Sequence, residues 1–140
     1  MSNVNVLDAS AILAYLQQEN GQDVVEAALD AGPSWMTTVN TCEVLGKLCE
    51  KGMPVEEAQA TIDDLGLRVI DFDAELARYA AVMRVSTISI GASLGDRACL
   101  ALAQRAIQAR PRTVNPVVYT AERSWMKLKW PFKIVLIRAA

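Results

Sequence analysis

Four carboxylates stand where an α/β chain places the groups that touch ligands. Asp8 directly follows the apolar run Val4–Leu7. Glu43 comes three residues after Asn40, behind the short run Trp35–Thr38. Asp96 opens a strongly apolar helical stretch, and Glu122 follows Thr120 at the end of Pro116–Thr120. In an open parallel sheet, ligands bind outside the carboxyl ends of the strands, which is where these residues would gather. The sequence contains no histidine. That excludes a His acid–base pair, a Ser-His-Asp triad and His-ligated zinc. Converging carboxylates without histidine make a hard, oxygen-rich site suited to Mg²⁺ or Mn²⁺. Such ions activate water and neutralise charge on a phosphodiester during in-line attack, with about 3.5–4 Å between ions where two are used.

Each acid also has a purely structural role open to it. Asp8 is a good helix N-cap, and Asp96 favours a helix N-terminus. Asn40 can cap a helix and, sharing a face with Glu43, also hold its carboxylate or a bound water. Glu122 can be a surface acid in a first turn. Glu43 is harder to set aside, because a carboxylate beside an apolar face is costly unless it is paired or bound to a metal.

The elements that must position these groups follow from periodicity. Val4–Leu7, Trp35–Thr38, Arg68–Phe72, Pro116–Thr120 and Lys133–Ile137 read as strands. Helices are expected at Ser10–Gln18, Gln22–Ala31, Asn40–Lys51, Pro54–Leu65, Asp73–Val85, Asp96–Ala109 and Glu122–Leu128. Ser86–Gly95 reads as a polar loop. Strands alternating with helices imply α/β architecture: a three-layer α/β/α arrangement with a central parallel sheet of four to five strands. The runs Val4–Leu7, Pro116–Val118 and Ile134–Ile137 are apolar enough to be strands buried on both faces.

The 140 residues fit one domain, 1–140, of which 52% are hydrophobic and 21% charged. No run approaches a membrane span, and the first residues show no secretory signal. Cys42, Cys49 and Cys99 lack metal-site spacing and read as buried, reduced, cytosolic thiols, which points to the cytoplasm. Residues 1–95 hold 14 acids and 5 bases, whereas residues 96–140 hold 2 acids and 9 bases. The split fits either a basic surface for a polyanion or two halves that interleave so that the signs mix.

The motifs resemble those of the PIN-domain ribonuclease family, and within it the VapC toxins of VapBC-type toxin–antitoxin systems. Val6-Leu7-Asp8-Ala9-Ser10-Ala11 resembles the opening motif, and Thr37-Thr38-Val39-Asn40-Thr41-Cys42-Glu43-Val44 the second. Ser93-Leu94-Gly95-Asp96-Arg97-Ala98-Cys99-Leu100 is very similar to the third, and Thr120-Ala121-Glu122-Arg123-Ser124-Trp125 to the fourth. The resemblance spans essentially the whole chain. It implies a PIN-like fold and Mg²⁺- or Mn²⁺-dependent cleavage of RNA, usually a structured RNA such as tRNA. It also implies a cognate antitoxin that occludes the site, and commonly a homodimer. It assigns Asp8, Glu43, Asp96 and Glu122 as catalytic metal ligands, with Asn40, Thr120 and Ser10 in support. Arg97 and Arg123 are candidates for phosphate contact.

Three departures accompany it. The fourth acid is Glu122 rather than Asp, Ile88 stands where many relatives are basic, and 108–115 is a long connection carrying Arg110 and Arg112. The first two motivate an alternative, a PIN fold that grips RNA or protein without cutting. A haloacid-dehalogenase-like phosphatase would need an acid at Ser10, and a receiver domain would need adjacent acids after the first strand; neither is present. Apolar residues in Gln22–Ala31 and Pro54–Leu65 serve either a dimer interface or the core.

Overall fold

A computed structural model describes residues 1–138. The chain runs β1 (Ser2–Leu7), α1 (Ala9–Leu16), α2 (Gln22–Ala31), β2 (Ser34–Thr37), α3 (Thr38–Glu50), α4 (Val55–Asp63) and β3 (Arg68–Ile70). It continues through α5 (Ala74–Ser86), α6 (Leu94–Gln108), β4 (Val114–Thr120) and β5 (Lys133–Leu136), with 3₁₀ turns at Ile88–Ile90 and Arg123–Lys127. All strand pairs are parallel, in the order β3-β2-β1-β4-β5. This is the fold that the resemblance implies, with helices on both faces of a five-stranded parallel sheet.

The strand order explains the apolar sequence of β1. It is central, and its side chains alternate between two cores. Val6 packs with Val118, Leu76, Leu100 and Trp125 beneath α5 and α6. Leu7 packs with Ile12, Val25, Met36 and Val44 beneath α1 to α4. β1 lies between β2, reached directly, and β4, reached only after the chain has built β3 and crossed back. The carboxyl ends of β1 and β4 therefore flank the point where the winding reverses, the expected crevice of such a sheet.

Several sequence expectations shift. α3 begins at Thr38 rather than Asn40, because Thr37 supplies the cap and its hydroxyl oxygen accepts the Asn40 N–H. α6 begins at Leu94, so the supposed loop Ser86–Gly95 already contains its first two residues and a 3₁₀ turn. β3 stops at Ile70, and β5 is a half-buried edge strand rather than a core strand. Cys42 and Cys49 are exposed, and only Cys99 is buried. The buried stripe of α3 passes through Thr41, Val44 and Leu48, which puts positions 42 and 49 about a hundred degrees off it. In α2 and α4 the apolar stripe faces inward: Val25, Ala28, Ala58 and Ile62 are core residues. No helix among the described residues is long and apolar enough to cross a membrane.

Candidate active site

Asp8 ends β1 and caps α1, its Oδ1 accepting the Ala11 N–H at 2.8 Å. The cap does not exhaust it. The Ser10 hydroxyl donates to the same oxygen at 2.7 Å, and the Thr120 hydroxyl donates to Oδ2 at 2.5 Å. Both hydroxyls also tie down the end of β4: Ser10 Oγ accepts the Ala121 N–H and Thr120 Oγ1 accepts the Glu122 N–H, each at 2.9 Å. Asp8 is thus buried at the seam between two strands. Burial pushes its carboxyl up to about 6, even though Thr120, Ala11 and Ser10 all donate to it, and the charge of Asp96 adds to the rise.

Asn40 is the second organising group. It is buried in the first turn of α3; its Oδ1 accepts from the Thr37 hydroxyl at 2.7 Å. Its amide nitrogen donates to Glu43 Oε1 at 2.9 Å and to the Gly95 carbonyl at 3.0 Å, linking α3 to α6. Asn40→Ala strands the buried Thr37 hydroxyl, at a cost of roughly 1–3 kcal/mol, and removes the hydrogen bonds to Glu43 and the Gly95 carbonyl, each worth about 0.5–1.5 kcal/mol. We expect that variant to lose about 2–4 kcal/mol of stability, read as a lower urea midpoint at unchanged slope.

Asp96 sits in the first turn of α6, in a capping box with Ser93. Its carboxylate accepts the Ser93 N–H at 3.0 Å, and its own N–H donates to Ser93 Oγ at 3.1 Å. Glu122 follows β4 and begins the second 3₁₀ turn. Its carboxyl is raised, first by burial and then by the charge of Asp96, with Arg138 opposing. Directly below the cluster, burial holds the Cys99 thiol well above its usual range, and the charges of Asp8, Asp96 and Glu43 push the same way. A neutral, buried thiol matches the inert role read from sequence.

Asp8, Ser10, Asn40, Glu43, Asp96 and Glu122 line one cleft of about 410 Å³. Thr120 supports it from beneath. Four further residues on its wall were not among the expected site residues: Ala9, Leu13, Lys47 and Ser93. Lys47 is four residues after Glu43, a spacing that places both on one helix face and would have flagged it. Its pairing with Glu50 is long, at 3.7 Å, and largely exposed, so it counts for little. Arg97 lies elsewhere. Its guanidinium is buried and donates to the Ala80 carbonyl of α5 at 3.0 Å, which corrects the expectation that it faces phosphate. A residue next to Asp96 on a helix points about a hundred degrees away from it. Arg123 is exposed but outside the residues that line the cleft.

The donor set is all oxygen and anionic; Asp8 and Glu122 both carry carboxyls raised first by burial, with the negative charge of Asp96 adding to the rise. A divalent cation relieves that repulsion, so the residues fit such an ion by chemistry. Among the described residues, no three acids are grouped closely enough to hold one as they stand. Glu43 is turned to Asn40, and Asp96 to the Ser93 backbone.

A crevice of acids at the reversal point of a parallel sheet defines a class of small α/β proteins with a carboxylate centre. Within that class the PIN domain family model matches residues 6–108, and the chain belongs to the PIN domain family. No curated protein sequence matches it. Solved structures share the fold at low identity. A chain of the DNA-bound VapBC structure from Salmonella typhimurium is 17% identical, with 96% of this chain and 98% of that one covered at a TM-score of 0.65. A toxin–antitoxin complex from Klebsiella pneumoniae is 15% identical over 99% and 100%, at 0.67. FitAcB from Neisseria gonorrhoeae is 17% identical over 94% and 95%, at 0.61.

Proposed function

We propose that this protein is a metal-dependent endoribonuclease, the toxin of a toxin–antitoxin pair. The observation that carries the reading is the single cleft in which Asp8, Glu43, Asp96 and Glu122 meet. Membership of the PIN domain family supports a nuclease, and the fold shared with chains of toxin–antitoxin complexes supports a toxin with a cognate antitoxin. Asp8, Asp96, Glu43 and Glu122 would hold Mg²⁺ or Mn²⁺. When bound, the ion supplies charge neutralisation at the scissile phosphate and a more acidic water.

The chain's own residues do the rest. Thr120 and Ser10 fix both oxygens of Asp8, so one ligand is set before any metal arrives. Asn40 orients Glu43, and Ser93 anchors Asp96 at the start of α6. Lys47, at the mouth, is the cation best placed to meet the phosphate backbone. The substrate is RNA, either tRNA or another structured RNA. The exposed Val82, Val85 and Ile88 along α5 and the turn after it supply an apolar face for self-association into a homodimer.

The test is incubation of antitoxin-free protein with total RNA in Mg²⁺, Mn²⁺ or EDTA, with Asp96→Asn as the contamination control. Discrete cuts that require metal are expected from the wild type only. A folded protein that cuts nothing in either metal would leave an RNA- or protein-gripping PIN fold as the better reading.

A further inference from the structure

Two concavities on the α5–α6 side of the sheet are larger than the acid cleft, about 590 and 510 Å³. They share Glu75, Tyr79 and Gln108 and so run into one another. The lower one exists because α6 ends at Gln108, short of covering β2 and β3. Trp35 of β2 is left half-buried there, beside its register partner Arg68, whose guanidinium carbon stands 6.0 Å from the ring centroid. Arg110, just past the end of α6, lies on the same wall.

Not all the cations of this groove are neutralised by carboxylates; Arg110 donates to the Ile107 and Ala109 carbonyls at 3.4 and 2.9 Å, which leaves its positive charge unpaired by an acid. Arg105 is held by Asp73 at 3.0 Å and Glu75 at 3.3 Å, which engages the carboxylates on that wall. Among the described residues, Arg68 and Arg110 have no carboxylate partner, nor do Arg78 and Lys129, which flank Trp130 in the upper concavity. The result is an aromatic floor with cations at its margin. Cations beside half-buried aromatic rings match a ligand that alternates phosphates with planar bases, and only a single strand offers its bases for stacking.

We propose that this groove is a second RNA-contacting site. It takes a single-stranded stretch of substrate, with phosphates on Arg68 and Arg110 and a base against Tyr79 and over the Arg68–Trp35 pair. The inference rests on the ribonuclease reading for its ligand but not on the acid cleft for its chemistry. Arg68 lies at the amino end of β3 and the acids at the carboxyl ends of β1 and β4. The seven residues of β4 alone separate the two ends of the sheet by about 20 Å, so only a substrate longer than the few nucleotides at the cleft reaches both.

The test measures binding of a labelled single-stranded RNA in EDTA by fluorescence anisotropy across a salt series. It compares the wild type with Arg68→Glu/Arg110→Glu and with the milder Arg68→Gln/Arg110→Gln, melting curves confirming the fold. The charge-reversed protein is expected to bind on the order of tenfold more weakly, with a log–log salt slope shallower by about 1.4 for two lost phosphates. Quenching of tryptophan fluorescence by RNA should shrink with it. Cleavage of a substrate only a few nucleotides long, in metal, should be unchanged. Equal affinity and slope in all three proteins would overturn the groove, as would a wild type with no affinity for RNA. Metal-dependent cutting alongside unchanged binding sinks the groove alone. Lost binding in the variants, with no cutting by any protein, upholds the groove and sinks the nuclease.

Discussion

Replacing Asp8 by Asn should abolish RNA cleavage while making the metal-free protein harder to unfold at neutral pH. The loss of activity is expected on the order of a hundredfold or more, the scale of removing one preorganised electrostatic contact from a site. The gain in stability comes from the burial of the carboxylate, which is only 3% exposed. Its carboxyl is raised to about 6 in the fold from an ordinary 3.8. A folded-state value above the unfolded one means that the folded protein binds the proton more tightly. The resulting stability is fully present below about pH 4 and is lost as pH rises through about 6. Above that, wild type carries an ionised buried group, a penalty of about 3 kcal/mol for a two-unit rise. Asn keeps the cap, since its oxygen can accept from Ala11 and Ser10. The Thr120 hydroxyl, however, must give up its acceptor. The net gain is therefore expected at no more than about 2 kcal/mol at pH 8 in EDTA, shrinking toward pH 4. Urea melts of both proteins at the two pH values check it; a variant less stable at pH 8 would contradict the account.

The second large effect comes from a residue with no side chain. Gly95 is buried in the first turn of α6, and a Cβ built there would collide with the Glu43 carboxylate. Gly95→Ala improves helix propensity by roughly 1 kcal/mol, so a loss of function cannot come from a weakened helix. Glu43 is exposed enough to swing outward, which spares the fold but breaks its hydrogen bond to Asn40. We expect a melting temperature close to wild type and a 10–100-fold fall in metal affinity or cleavage, the usual scale for a displaced supporting contact. Metal titration by calorimetry, with cleavage at saturating Mn²⁺, separates the two. Full activity in the alanine protein would show that Glu43 does not need its present position.

The contrast between these two positions marks what a sequence can reveal. Asp8, Asn40, Asp96 and Thr120 are legible because they stand at strand ends or helix starts, where an open parallel sheet places its ligand-binding groups. The structure gathers them with Ser10, Glu43 and Glu122 at one edge. Gly95 carries its meaning in the volume it leaves empty, which no spacing rule reports. Arg97 shows the opposite failure: a cation beside a site acid looks functional, yet one residue of helical rotation turns it into α5. The exposure of Cys42 and Cys49 was legible, since the apolar phase of α3 through Val44 and Leu48 excludes them. The edge position of β5 could not be read, because apolar residues alone do not say which strands are central.

The pairing of β1 with β4 also sets a clock. Asp8 meets Thr120 across 112 positions of chain, and β4 is in turn flanked by β5, whose Leu136 pairs with Thr120. The central strand is therefore among the first segments made and among the last to be completed. A chain still being synthesised has the acids of β1, α3 and α6 in hand but no partner strand to close the seam around Asp8. The acid cleft is therefore complete only once translation has passed the whole of β4 and β5.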